Sequence, residues 1–418
     1  MKRAAAYIFT CIFVLAFIDA SLAQLQVWLF DCVVVPEYFA KIGVFAAIVT
    51  HWMFGAKQQM DRRILFIWVL LGSILAVCFI AVRAAGSTLF ADQVNSLFTN
   101  YLYLMCLPIC LLCLKPLVRL SFVFRILAFL MVPLCALGIA QYLLSDPLVA
   151  TSTSDGSFRV VSWAFEDRVR AFSLFASGFS FSCYLALMMG YCVAYVAGRG
   201  YSSRVRLLAL AGCGVVALAT YASITRLGFM FVFMAALFAA CLSRWRKFNR
   251  ISWFALPLVG FMVAGSTLLL APLIASGANT DLVSDLSLVD RLLNWNIALN
   301  TWTGGGLVTF LFGTGISQGS ANDTYAVDNT FLNFAVQVGA IGLVGSVVLM
   351  YAMWMSFRRS VGRRQSPAVI AVCAFWATWI LTGMIDWTNP TYALIAAPLM
   401  ISVEYRARPA SKSAPNPG

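Results

Sequence analysis

Apolar residues run along this chain in blocks of about 20, separated by short polar junctions. A block of that length matches an α-helix crossing a hydrocarbon core about 30 Å thick. Strands of a membrane barrel would be shorter and would alternate apolar with polar positions. The pattern predicts twelve spans, near residues 4–24, 34–54, 64–83, 97–114, 120–144, 172–196, 207–223, 227–243, 252–274, 329–356, 367–385 and 390–404. The expected fold class is an all-α polytopic membrane protein, with about 12 transmembrane helices and a large outer loop carrying a short interfacial helix. Residues 1–404 would form a single transmembrane domain, and 405–418 a polar, disordered cytoplasmic tail. The first stretch, "MKRAAAYIFTCIFVLAFIDASLAQ", has Lys2 and Arg3 before an apolar core and small residues near Ala20 and Ala23, as a signal peptide does. Because many spans follow, we expect an uncleaved first span.

Composition agrees with this reading. The chain is 62% apolar and 11% charged, with mean hydropathy +0.88, where a soluble domain is roughly half apolar and about a quarter charged. No long polar stretch is left for a separate soluble domain. Nearly all of the 12 cysteines lie inside apolar runs, as Cys106, Cys110 and Cys113 do, and read as small apolar residues. The two long polar loops have none, so no disulfide framework is implied.

Charge orients the spans. Basic residues mark the cytoplasmic side, and here they cluster at every second junction, in "KQQMDRR" (57–63), "GRGYSSRVR" (198–206), "SRWRKFNR" (243–250) and "FRRSVGRRQ" (357–365) among others. Of the 29 Lys and Arg, 22 fall on that side, and of the 16 acidic residues only Asp61 and Glu404 do. Both termini are then cytoplasmic. The net charge of +13 reflects topology and not nucleic-acid binding.

Two outer loops stand out by length, near 145–171 and 275–328, and long loops in compact proteins tend to be functional. The second contains "LSLVDRLLNWNIALNTW" (286–302), in which Leu288, Leu292, Trp295, Leu299 and Trp302 recur at helical spacing. This predicts a short amphipathic helix at the outer membrane–water interface. An ordinary loop helix packed on the spans fits the same pattern.

Four arginines sit where the positive-inside bias would not put them. Arg168 and Arg170 lie in "FEDRVRAFSLFASGFSFSCYLAL", Arg226 in "SITRLGFM" between two spans with almost no loop, and Arg291 on the interfacial helix. An arginine deep in a membrane is costly unless it is paired or faces water, and guanidinium forks bind phosphate bidentately. Together they suggest a phosphorylated ligand at the outer face. Each has a plainer reading as well: Arg168 pairing with Glu166 or Asp167, and Arg226 snorkelling or bonding loop carbonyls. Asp328 and Asn329 open the apolar run "VDNTFLNFAVQVGAIGLVG" (327–345) on the same side. Asp328 is either a helix cap or a group that accepts a proton from an attacking hydroxyl. The lone histidine, His51, falls near the cytoplasmic end of the second span. No zinc motif, phosphate-binding glycine loop or nucleophile elbow occurs.

In this order, "RAFSLFASGFSF" (170–181), "SITRLGFM" (223–230), "RLLNWNIAL" (291–299) with "LFGTGISQG" (311–319), and "VDNTFLNFAVQVGAIGLVG" (327–345) resemble the O-antigen polymerase/ligase family of bacterial envelope polysaccharide synthesis. The resemblance covers about 165–350. Leu227 stands where a glycine is common, and Asp328 where the ligases usually show histidine. The second departure favours a polymerase.

The resemblance implies a membrane glycosyltransferase with no cofactor, no metal and no nucleotide sugar. It would polymerise undecaprenyl-pyrophosphate-linked repeat units of an O-antigen, capsule or exopolysaccharide at the periplasmic face of a bacterial inner membrane. Arg170, Arg226 and Arg291, with Arg168 nearby, would hold the pyrophosphate. Asp328 would orient or deprotonate the acceptor hydroxyl, with Asn329 beside it. Trp295 and Trp163 would stack on sugars, although anchoring at the interface is the commoner role of Trp. Gly313 and Gly315 would permit a tight turn. The partners implied are the lipid-linked glycan donor and acceptor, membrane lipids, and chain-length regulator or export proteins. The alternatives are a ligase moving glycan to a lipid or protein, a lipid-linked oligosaccharide transporter, and an assembly protein without catalysis. Transport fits less well, because the spans read as apolar, the charges sit at one face and no half-to-half repeat is evident.

Overall fold

A computed structural model describes residues 120–149, 164–165, 168–175, 178–198, 200–244, 286–314, 338–344 and 366–382, with isolated positions at 27, 29–30, 69, 73, 76, 332 and 335–336. In chain order these form α1 (Leu120–Leu144), β1 (Ala164–Phe165), β2 (Arg168–Val169), α2 (Gly178–Ala197), α3 (Ser203–Ala222), α4 (Arg226–Arg244), α5 (Leu286–Gly304), α6 (Gly306–Phe312) and α7 (Pro367–Thr382). Positions 338–344 are helical as well. The expected spans near 4–24, 34–54, 97–114, 252–274 and 390–404, and the tail, lie outside the described residues, as does most of 64–83.

Among the described residues three helices are long and apolar enough to cross a membrane: Ser121–Leu144, Ser180–Ala197 and Ser203–Ala222. The apolar part of α4, Gly228–Arg244, is shorter. The helices expected near 120–144, 172–196, 207–223 and 227–243 are all present, with ends shifted by a few residues. Helix α2 starts later than expected because 170–175 is used as a tied-down connection.

Helix α2 is the hub. Of its apolar window 78% is buried, against 39% for α1 and 33% for α3. It runs antiparallel to α1: the Phe124 and Tyr191 rings lie 5.0 Å apart, and Tyr184 donates its hydroxyl to the Leu127 carbonyl at 2.6 Å. It runs parallel to α4, and α7 packs antiparallel on both, with Gly190 against Ala371 and the Phe231 and Phe375 rings 5.4 Å apart. Lipid offers apolar side chains no reason to leave it, so close van der Waals packing and buried hydrogen bonds hold such helices together. The buried small residues Ala371 and Ala374 on α7 fit that role. Outward, α1 and α3 present Phe129, Val132, Leu207, Leu208, Leu210 and Leu218, as peripheral membrane helices do.

One feature of the first long loop departs from the all-helical expectation. Strands β1 and β2 pair antiparallel, Ala164 opposite Val169 and Phe165 opposite Arg168. Strands of two residues are too short to leave an alternating pattern in a sequence.

Candidate functional site

The C-terminal ends of α1 and α3 and the N-terminal ends of α2 and α4 meet at one end of the bundle. The knot that joins them centres on Gln141, a fully buried residue of α1. Its amide oxygen accepts from the Phe172 N–H at 3.1 Å and the Ser173 N–H at 2.7 Å. Its amide nitrogen donates to the Pro147 carbonyl at 2.7 Å and the Ser173 carbonyl at 3.0 Å. Two acceptor and two donor positions are thus filled, which also fixes which way the amide points. Ser173 is fully buried and left-handed, with φ 53°. That conformation costs a non-glycine residue about 1–2 kcal/mol. It is offset because Ser173 also donates its hydroxyl to the Leu134 carbonyl at 2.8 Å.

The same segment is tied to the α3–α4 turn. The Ala171 N–H donates to the Ala222 carbonyl at 3.1 Å. Three residues, Ser223–Thr225, then turn the chain into α4, with Ile224 left-handed at φ 45°. Their hydroxyls meet one from α2: Ser182 Oγ lies 2.8 Å from Thr225 Oγ1 and 3.4 Å from Ser223 Oγ, and Ser223 Oγ lies 2.9 Å from Thr225 Oγ1. Ser182 also donates to the Gly178 carbonyl, and Ser223 to the Thr220 carbonyl. The buried hydroxyls are therefore satisfied within the protein. Gly228 lets the helices come this close: a Cβ there would overlap Thr225 Oγ1 and Ser182 Oγ.

This knot sets the backbone of two of the predicted arginines. Arg170 is half-buried and precedes Ala171 directly, while Arg226 is the first residue of α4. Neither α2 nor α4 has an acidic residue in its first turn. Both helix N-termini carry partial positive charge. Placing Arg226 there adds like charge, an arrangement that an anion would relieve. Arg168 is exposed, and its guanidinium lies 4.9 Å from the centre of the Tyr142 ring. Tyr142 is edge-on to Tyr221, and Tyr221 to Phe229.

A second junction lies further along the chain. The helix expected over 286–302 is present as α5. Among its described side chains Trp295 and Ala298 are buried, while Leu293 and Ile297 are exposed. Trp295 Nε1 is buried with no hydrogen-bond partner among the described residues. Trp302 donates to the Phe310 carbonyl at 2.9 Å and stacks on that ring. After α6, Gly313 turns the chain with φ 83°. Thr314 N–H then donates to the Val336 carbonyl at 2.7 Å, and its hydroxyl to the same carbonyl at 3.1 Å. Gly339 has φ 68° and lies against the Leu311 carbonyl, where any Cβ would overlap.

Of the predicted site residues, the fold brings the Arg168–Arg170 segment and the start of α4 to one place. Arg291 lies within α5, five residues from its start. Asp328, Asn329, Trp163, Gly315 and the acidic pair Glu166 and Asp167 lie outside the described residues. Sequence reasoning missed Gln141, Ser182, Ser223 and Thr225. Gln141 left one signal, being the sole amide side chain in the 25 residues of α1. The expectation of plainly apolar spans overlooked it. Among the described residues no group of three His, Cys, Asp or Glu side chains is placed to hold a metal ion. No protein-family model matches the chain, and no curated protein matches it significantly.

Proposed function

We propose that the chain is a membrane glycosyltransferase that polymerises undecaprenyl-pyrophosphate-linked repeat units at the periplasmic face of a bacterial inner membrane. The observation that carries this reading is the knot. Two segments that resemble family motifs, 170–181 and 223–230, are tied together at their edges, Ala171 to Ala222 and Ser182 to Thr225, with Arg170 and Arg226 beside two helix N-termini that lack acidic residues. That arrangement suits a diphosphate leaving group.

The reaction needs no cofactor. An acceptor sugar hydroxyl attacks the anomeric carbon of the lipid-linked chain and forms the new glycosidic bond. The bond from that carbon to the pyrophosphate oxygen breaks, and its electron pair leaves with the undecaprenyl pyrophosphate. Arg170 and Arg226, with Arg168 and Arg291, stabilise the developing charge. The hydroxyl proton passes to Asp328, with Asn329 orienting the acceptor. The described residues support the pyrophosphate half of this scheme, and the sequence alone supports the acceptor half.

The test is incubation of the purified full chain in lipid with a polyprenyl-pyrophosphate-linked repeat unit and no nucleotide sugar. The expected result is a ladder of longer products. Arg226→Ala should lower its rate by about 10²–10³, the usual cost of removing one donor to a developing oxyanion. Asp328→Asn should abolish it if Asp328 takes the proton, whereas a helix cap tolerates Asn. Transfer of a single preformed glycan to a lipid acceptor, without a ladder, would replace this reading by the ligase.

A further inference from the structure

Arg170 comes from a connection between elements, and a connection does not usually hold a ligand-binding side chain to within the ~0.5 Å that a positioned site needs. Here the four residues 170–173 are held by two neighbours. Ala171 is bonded to the end of α3. Phe172 and Ser173 are bonded to one side chain, Gln141, which reaches them from 31 and 32 residues earlier in the chain. No regular ladder supports the segment after β2 ends at Val169. The Gln141 amide replaces that ladder, since it accepts two N–H groups and donates to a carbonyl just as a neighbouring strand would. It also donates to Pro147 at the exit of α1, so the two ends of the first long loop are fastened to one group.

We propose that Gln141 is a positioning residue: it fixes the 171–173 backbone, and through it the reach of Arg170 toward the diphosphate of the lipid-linked donor, against Arg226 at the head of α4. This rests on the function proposed above. Gln141 itself touches no substrate. Its loss should therefore weaken donor binding more than it slows the bonds that break and form.

The geometry makes the two obvious variants unequal. Gln141→Leu keeps the volume and removes all four hydrogen bonds. Gln141→Glu keeps the oxygen that accepts from Phe172 and Ser173, and sets a second oxygen against the Pro147 and Ser173 carbonyls. It should be the milder lesion for the backbone amides. If the leucine variant does not fold, the glutamate variant carries the test.

The experiment uses the full chain in lipid nanodiscs, with two readouts. Hydrogen exchange over 171–173 reports the clamp, and exchange within α2 reports the bundle. Steady-state kinetics on a polyprenyl-pyrophosphate-linked repeat unit separates KM from kcat. We expect Gln141→Leu to speed exchange over 171–173 at least tenfold with α2 unchanged. KM should rise about tenfold and kcat stay within threefold, with Gln141→Glu in between. Arg170→Ala should raise KM at least as much, and combining it with Gln141→Leu should add little. Unchanged exchange over 171–173 overturns the clamp. Faster exchange with unchanged KM, while Arg170→Ala raises KM, overturns the positioning role and leaves the proposed function standing. If Arg170→Ala and Arg226→Ala both leave KM and kcat unchanged, the diphosphate reading fails, and the positioning role with it. A fall in kcat and protection throughout α2 would show a merely structural glutamine.

Discussion

The two junctions that bring distant segments together are built from opposite materials. The first, around Gln141, Ser173, Ser182, Ser223 and Thr225, is held by side chains: one buried amide, three buried hydroxyls and the half-buried hydroxyl of Thr225, all satisfied at the end of an apolar bundle. The second, between 311–314 and 336–339, is held mainly by backbone, through the Thr314–Val336 bond and the bare Cα of Gly339 against Leu311. Around it α6 exposes Leu307, Val308 and Phe310. A polar side chain inside an apolar bundle has no water to fall back on, so each of its bonds is needed. A backbone contact tolerates most side-chain changes and fails only where a Cβ is added. The first junction should therefore be broken by polar substitutions, and the second only at its glycine.

Substitutions at the helix contacts test that contrast. The largest effect should come from Gly228→Val. Three added carbons have to displace Thr225 and Ser182, and overpacking a tight contact costs about 3 kcal/mol. The midpoint of thermal unfolding in detergent should fall by several degrees and the product ladder should vanish. Gly214→Ala is the matched control, since nothing lies within 4 Å of its Cβ. Alanine there should be neutral or raise stability by up to about 1 kcal/mol through helix propensity. An equal loss from both would mean that the α2–α4 approach is not tight.

Gly339→Ala comes next, at about 2 kcal/mol, because it combines a left-handed backbone with an overlap on the Leu311 carbonyl. Its effect should be local: faster hydrogen exchange over 311–314 and 338–344, with 171–228 unchanged. Loss of protection in both regions would show that the two junctions behave as one. Ser182→Ala should cost about 1 kcal/mol, since it leaves Thr225 and Ser223 to satisfy each other. The smallest change is expected from Thr314→Val, at about 0.5 kcal/mol, because its N–H still bonds the Val336 carbonyl. A larger loss from Thr314→Val than from Ser182→Ala, measured by the same unfolding, would reverse the comparison.

Legibility differed by kind of feature. The helices over 120–144, 203–222 and 226–244 follow from runs of apolar residues, because a span must satisfy its own backbone and has no other regular choice, and the helix over 286–304 follows from apolar residues at helical spacing. Arg226 was legible as the edge of a span, since a charge between two apolar runs has one inexpensive depth. Gln141 was not, because its importance lies in bonds to residues 31 and 32 positions away. The β1–β2 ribbon was not either, being two residues on each side. The stripe on α5 was read only in part. Trp295 is buried as the spacing predicts, but Ala298 is the next buried position and Leu299 is half-buried.

By itself the sequence determined that the chain is helical and apolar enough for a membrane, and which residues are out of keeping with that setting. Those properties are local sums, of hydropathy over a window and of charge at a junction, and need no knowledge of neighbours. Only the tertiary structure decided which of the unusual residues share a place. It put the segment of Arg170 against the turn before Arg226 and set a glutamine from another helix to hold it. The reason is physical: hydrogen bonds across helix ends depend on crossing geometry and on gaps such as Gly228, which windowed patterns do not carry.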